Sequence, residues 1–187
     1  GLAGALWIGI TPLQSLYQRM KTSSRMPLSF VGMIMAHLGM AFFVAGVTIV
    51  MTYNQEKDVR LETGSAYTLS GYEFKFMGVK EVVGENYNAQ EGHLEVSQQG
   101  EKIADLYPQK RVYTGKANPM PMTEAAVDAG LFRDIYAAMG EPLGDNAWSL
   151  RLYYKPFIGW IWIGSLLMTL GGILAISDRR YRQKRIG

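Results

Sequence analysis

The sequence predicts an α-helical integral membrane protein with an inserted α+β domain, mainly antiparallel β plus one helix, on the outer side of the membrane. Three observations predict it. Leu28 to Thr52 and Pro156 to Ile176 contain no Asp, Glu, Lys or Arg, the segment 53–155 between them is polar, and basic residues gather in the two flanks. At about 1.5 Å of rise per residue, each run is longer than the roughly 30 Å of hydrocarbon in a bilayer. A chain of 187 residues could hardly cover two such helices on every side in a soluble fold.

The elements follow in chain order. Residues 1–27 read as the end of an earlier transmembrane helix and a cytoplasmic loop. The stretch is apolar up to Ile10 and reaches Pro12 soon after, with neither the basic start nor the cleavage site of a signal peptide. The chain is therefore expected to be the C-terminal piece of something larger. Residues 28–52 form the first span, 53–155 an outer domain, 156–176 the second span and 177–187 a basic tail.

Charge gives the orientation. Arg19, Lys21 and Arg25 precede the first span, and Arg179, Arg180, Arg182, Lys184 and Arg185 follow the second, opposed only by Asp178. The intervening segment holds 15 acidic against 11 basic residues, a net of −4. Both flanks are thus expected in the cytoplasm and the domain outside. The tail's place beside a span makes topology, not nucleic acid, its explanation. Tyr153, Tyr154, Trp160 and Trp162 suit the headgroup layer, and Lys155 beside them can snorkel to water.

Within the outer domain, Tyr67 to Gly84 is rich in aromatic and β-branched residues and is broken by Ser-Gly and Gly. His93 to Gln98 alternates, Gln-Gly-Glu makes a turn, and Lys102 to Tyr113 continues as a further strand. Thr123 to Met139 is expected to be a helix. Thr123 stands as N-cap, Glu124 suits the helix dipole, Ala126, Leu131, Ile135 and Met139 offer a core face, and Gly140 with Pro142 ends it. Trp148 to Tyr154 reads as the last strand.

The chain has no cysteine, which excludes disulfides, a CxxC redox pair and a CxxCH haem-attachment site in the chain itself. No P-loop, GxSxG, HExxH or EF-hand pattern occurs, and no pair of carboxylates has a spacing that suggests catalysis. Two histidines remain. His93 sits in a polar strand and reads as a surface side chain. His37 lies nine residues into the first span, about 14 Å along the helix from Leu28, where ionisable groups are costly and mark sites.

Met33, His37, Met40 and Val44 share one helix stripe, and Gly32, Ala36, Gly39 and Gly46 form a small-residue stripe fit for close helix packing. An apolar surface with one imidazole suits haem, whose iron takes His as axial ligand. A proton relay fits less well, since neither span offers a second acid or base. Met40 lies on the same face as His37 and cannot reach the opposite side of a haem bound there, so a second ligand must come from another helix.

The runs GENYNAQEGHLEV (84–96), LYPQKRVYTGKANPMPMTEAAVDAG (106–130), LFRDIYAAMGEP (131–142), WSLRLYYKPFIGWIW (148–162) and MAHLGM around His37 resemble the CcmF-type cytochrome c haem lyases. The resemblance covers nearly the whole chain. It implies a role in transferring haem, the substrate, from a periplasmic haem chaperone to the CxxCH cysteines of apocytochrome c. It also implies a haem b in the membrane as electron relay, with His37 as one of its two axial ligands, and location in the bacterial inner membrane. Implied partners are the chaperone, apocytochrome c with its thiol-handling maturation proteins, the rest of the lyase and membrane lipid. The family's Trp-rich periplasmic segment and two periplasmic haem-ligating histidines are absent here, and His93 is not in their context. The fragment alone is expected to be inactive as a lyase, and no catalytic residue is assigned. The alternative is a cofactor-free membrane scaffold whose outer domain docks periplasmic partners. A transporter would require more intramembrane polar groups than His37, Ser29, Ser165 and a few Thr.

Overall fold

The computed structural model describes residues 1–22, 26–114 and 120–178. Arg25 and the basic residues 179–185 used in the topology argument lie outside them. The chain forms two compact units, residues 1–53 with 156–187 and residues 54–155.

The first unit is helical. α1 (Leu2–Thr22) runs on through Pro12, α2 spans Leu28–Tyr53 and α3 spans Ile158–Ile176. By length and composition α2 and α3 can each cross a membrane. Their bounds fall within two residues of the uncharged runs. Asp178, just beyond α3, is 6% exposed and its carboxylate accepts a hydrogen bond from the Ser29 amide at 3.0 Å. It thereby satisfies one of the orphan donors at the start of α2.

The second unit is built from antiparallel strands: β1 (Gln55–Glu62), β2 (Ala66–Leu69), β3 (Tyr72–Val83), β4 (Tyr87–Gln98), β5 (Glu101–Leu106), β6 (Gln109–Tyr113), β7 (Met122–Glu124), β8 (Ala126–Ala129), β9 (Arg133–Gly144) and β10 (Ala147–Pro156). One sheet has the order β1-β10-β9-β8; the other has β2-β3-β4-β6-β7, with β5 also paired to β4. Side chains alternating along the strands meet between the sheets. Phe74 and Phe76 of β3, Leu94 and Val96 of β4, Ile135 and Ala137 of β9, and Leu150 and Leu152 of β10 are fully buried there. Burying each of the larger ones contributes about 1.5–3 kcal/mol.

The helix expected over 123–139 is not formed. Thr123 lies in β7, where its hydroxyl donates to the Met139 carbonyl at 3.2 Å instead of capping a helix. Gly130 sits in a turn, and β9 carries the rest past Gly140 and Pro142 to Gly144. The reason is periodicity. Ile135 and Met139 are four apart, a spacing that keeps one face in a helix and also in a strand. Ala137 between them is fully buried, which fixes period two, whereas Leu131 is exposed. Three smaller differences follow the same logic. The strand expected over 102–113 breaks at Tyr107–Pro108 into β5 and β6, both pairing with β4. β4 begins at Tyr87, before His93, and the charged β1 gives no apolar alternation to read.

Candidate functional site

The site begins with how α2 meets α3. A Cβ on Gly39 would stand 2.6 Å from the Gly164 carbonyl oxygen, and one on Gly164 would stand 2.5 Å from that of Gly39. A Cβ on Gly171 would stand 2.5 Å from the Gly32 carbonyl oxygen, and one on Gly46 would stand 3.1 Å from Ile161. Gly32, Gly39 and Gly46 repeat every seven residues, as do Gly164 and Gly171, so one face of each helix lets the backbones touch. The small-residue stripe legible in the sequence is this seam, with Ala36 beside Gly171.

The seam sets the direction of His37. At about 100° per residue, Gly32, Gly39 and Gly46 lie about 140°, 200° and 180° around the helix from it. His37 therefore projects away from α3, and it is exposed, as are Met33 and Met40 on either side. Its Nδ1 lies 2.8 Å from the Met33 carbonyl oxygen. A carbonyl can only accept, so Nδ1 carries the proton and Nε2 keeps the lone pair in the neutral ring. This tautomer presents Nε2 from an apolar face and fits the demands of an axial haem ligand.

His93 has a different setting. Its Nε2 is 2.7 Å from an Asp105 carboxylate oxygen, and its ring stacks on Tyr107 with centroids 4.8 Å apart. Lys102 bonds the other Asp105 oxygen at 2.9 Å. These bonds, that from His93 first and that from Lys102 second, hold the Asp105 carboxyl below the usual aspartate range. His93 is thus a half-buried structural side chain, more constrained than its polar strand suggested, and its outer nitrogen is already engaged. It borders a groove of about 410 Å³ shared with Met77, Lys80, Glu91 and Trp148. Lys80 is paired there with Glu91 at 2.9 Å. Among the described residues no group of three or more His, Cys, Asp or Glu is placed to hold a metal ion. Of the four aromatics expected at the membrane boundary, Tyr154 instead stacks on Tyr72 at 5.6 Å beside the sandwich core.

The fold and the sites define a class: an antiparallel β-sandwich inserted between two apolar helices, with one imidazole presented from the first. The family described as "CcmF C-terminal beta-sandwich" matches residues 52–156, and the chain belongs to it. Curated relatives agree. The cytochrome c-type biogenesis protein CcmF of Escherichia coli is 41% identical over 184 residues, covering 98% of this chain and 28% of that protein. CcmF of Haemophilus influenzae is 43% identical over 189 residues, covering 96% of the chain and 29% of the relative. CcmF of Pseudomonas aeruginosa is 47% identical over 156 residues, covering 83% and 23% respectively. A solved structure, "Cytochrome c Heme Lyase CcmF", superposes with a TM-score of 0.74 at 21% identity, covering 95% of this chain and 31% of that one; it shows the common fold. The chain spans less than a third of the length of these relatives.

Proposed function

We propose that the chain is the C-terminal part of a haem lyase of cytochrome c maturation, whose full-length form moves haem from a periplasmic haem chaperone to the CxxCH cysteines of apocytochrome c. The observation that carries the reading is the presentation of His37, with Nδ1 bonded to Met33 and Nε2 open on an apolar face opposite the helix seam. In this reading His37 would hold the iron of a haem b through Nε2, together with a second ligand from beyond these helices. Bound there, haem b would supply one-electron transfer chemistry within the apolar helices.

The chain's own residues have four tasks. His37 orients its ring through the Met33 carbonyl. Met33 and Met40 flank the imidazole on the same apolar face. The seam with α3 fixes the rotation of α2, and Asp178 fixes its start. The sandwich docks the chaperone, apocytochrome c or its thiol-handling partners and carries out no bond chemistry. The topology of this reading has α2 and α3 crossing the bacterial inner membrane, the sandwich in the periplasm and both flanks in the cytoplasm. The fragment alone is inactive.

The test is the full-length protein containing this chain, produced in cells lacking their own lyase alongside a CxxCH reporter. Thioether-linked haem on the reporter, read by pyridine haemochrome, is the expected result. Unmodified reporter in the presence of folded, haem-free protein contradicts the reading and favours a cofactor-free scaffold.

A further inference from the structure

β3 is paired along its whole length on one side and along only half of it on the other. β4 runs beside it from Tyr72 to Val83. β2 pairs with Tyr72–Lys75, and the turn before β2 takes up both backbone groups of Phe76: its carbonyl accepts from the Gly64 amide and its amide donates to the Ser65 carbonyl. Beyond Phe76 no strand among the described residues lies on that side. The register with β4 shifts there by one residue, at a bulge between Phe76 and Gly78 where Gly78 has a φ of 125°.

The end of the β3–β4 hairpin fixes which backbone groups are left over. The Gly84 amide donates to the Tyr87 carbonyl at 2.8 Å, so Gly84 faces β4, and by alternation so do Val82, Lys80 and Gly78. The amides and carbonyls of Val79, Glu81 and Val83 therefore point out of the sheet edge. Such a row of free donors and acceptors is a template for another strand. Their side chains share one face, since Val79 packs against the core and strand side chains alternate. Glu81 and Val83 line a cleft of about 520 Å³ between the two sheets, with Gln90, Lys110 and Glu141. Val83 is 81% exposed. The charges of the cleft are not balanced. Lys110 is committed to the Glu141 carboxylate and the Gly140 carbonyl, and Lys80 on the other face is committed to Glu91. Glu81 and, in the hairpin turn, Glu85 have no cationic partner among the described residues.

We infer that the open half of β3, from Val79 to Val83, is a strand-addition site that takes an extended, basic segment of an unfolded polypeptide. Main-chain bonds to Val79, Glu81 and Val83 hold the segment, so the site accepts many sequences, and the cleft receives alternate side chains. The uncompensated Glu81 favours a basic side chain opposite it and turns acidic segments away. The inference rests on the reading that the sandwich docks the partners of haem transfer. It selects among them apocytochrome c, whose CxxCH cysteines must be reachable on an open chain to receive haem.

Hydrogen exchange resolved to single amides by mass spectrometry tests the site in the full-length protein in detergent. The probe is apocytochrome c with its CxxCH cysteines alkylated, so that it stays unfolded and unreactive. Exchange at the Val79, Glu81 and Val83 amides is expected to be fast in the free protein and slow with the probe. The Lys80 and Val82 amides, bonded to β4, are expected to be slow in both. Glu81→Pro removes one outward amide without breaking a bond to β4, and with an unchanged unfolding midpoint it is expected to abolish the slowing. Glu81→Lys keeps the backbone edge and reverses the charge, and it is expected to weaken binding of the probe. Slowing confined to another part of the sandwich overturns the edge and leaves docking by the sandwich standing. Equal slowing by the folded, haem-loaded cytochrome overturns the edge as a site for unfolded chains. No slowing anywhere in the sandwich removes the edge and the docking reading together, while haem transfer to the reporter is scored separately.

Discussion

Gly39 and Gly164 stand so close that a Cβ on either would lie 2.5–2.6 Å from the other's carbonyl oxygen. This contact ties together sequence, packing and proposed chemistry. The same glycine face that admits α3 is the one that turns His37 away from it.

Substitution at the seam is therefore expected to be costly. Gly39→Ala must push backbone against backbone and is predicted to destabilise the protein by about 1–3 kcal/mol, the usual range for overpacking. Gly172 on α3 has nothing within 4 Å of its missing Cβ, so Gly172→Ala should leave stability unchanged or slightly raised. Unfolding of both variants in detergent, followed by circular dichroism, checks the contrast.

The strand assignment of residues 133–144 makes a second contrast. Met139 is 1% and Leu131 56% exposed, so Met139→Ala should cost about 2–5 kcal/mol and Leu131→Ala no more than about 0.5 kcal/mol. A helix with a shared core face at both positions would give comparable losses. Denaturant unfolding of the two variants decides it.

Acidification should weaken the β4–β5 edge. The folded-state pKa of Asp105 is lowered by its bonds from His93 and Lys102, so this contribution is present above the ordinary aspartate pKa, about 3.9. It is lost as pH falls from there through the lower folded-state value. Asp105→Asn should lower the unfolding midpoint at neutral pH, and its difference from the wild type should shrink progressively below about pH 4. The pair is solvent-screened, so the effect is small. A difference that does not change with pH counts against the ion pair.

What the sequence revealed and what it concealed have physical reasons. The two long apolar helices were legible because charge is excluded along their whole length, a signal that needs no partner. The glycine seam was legible as a stripe, since helical spacing alone puts Gly32, Gly39 and Gly46 on one side. The direction of His37 relative to α3 was not, because the sequence does not say which face meets which helix. The β9 strand was misread since Ile135 and Met139 satisfy both periods, and only Ala137, buried by the opposite sheet, separates them. β1 was silent because Gln55–Glu62 is held by pairing with β10 and by the Asp58–Arg151 ion pair at 2.6 Å. The setting of His93 depended on Asp105 and Tyr107, brought beside it only by the β4–β5 pairing and the β5–β6 break.

The most direct test of the central claim is a reduced-minus-oxidised optical spectrum of the full-length protein in detergent, with and without His37→Ala. The account predicts a b-type spectrum in the parent protein that is lost or shifted in the variant while its fold is retained. An identical spectrum in both would remove His37 from the iron and leave it a packing residue on an apolar face.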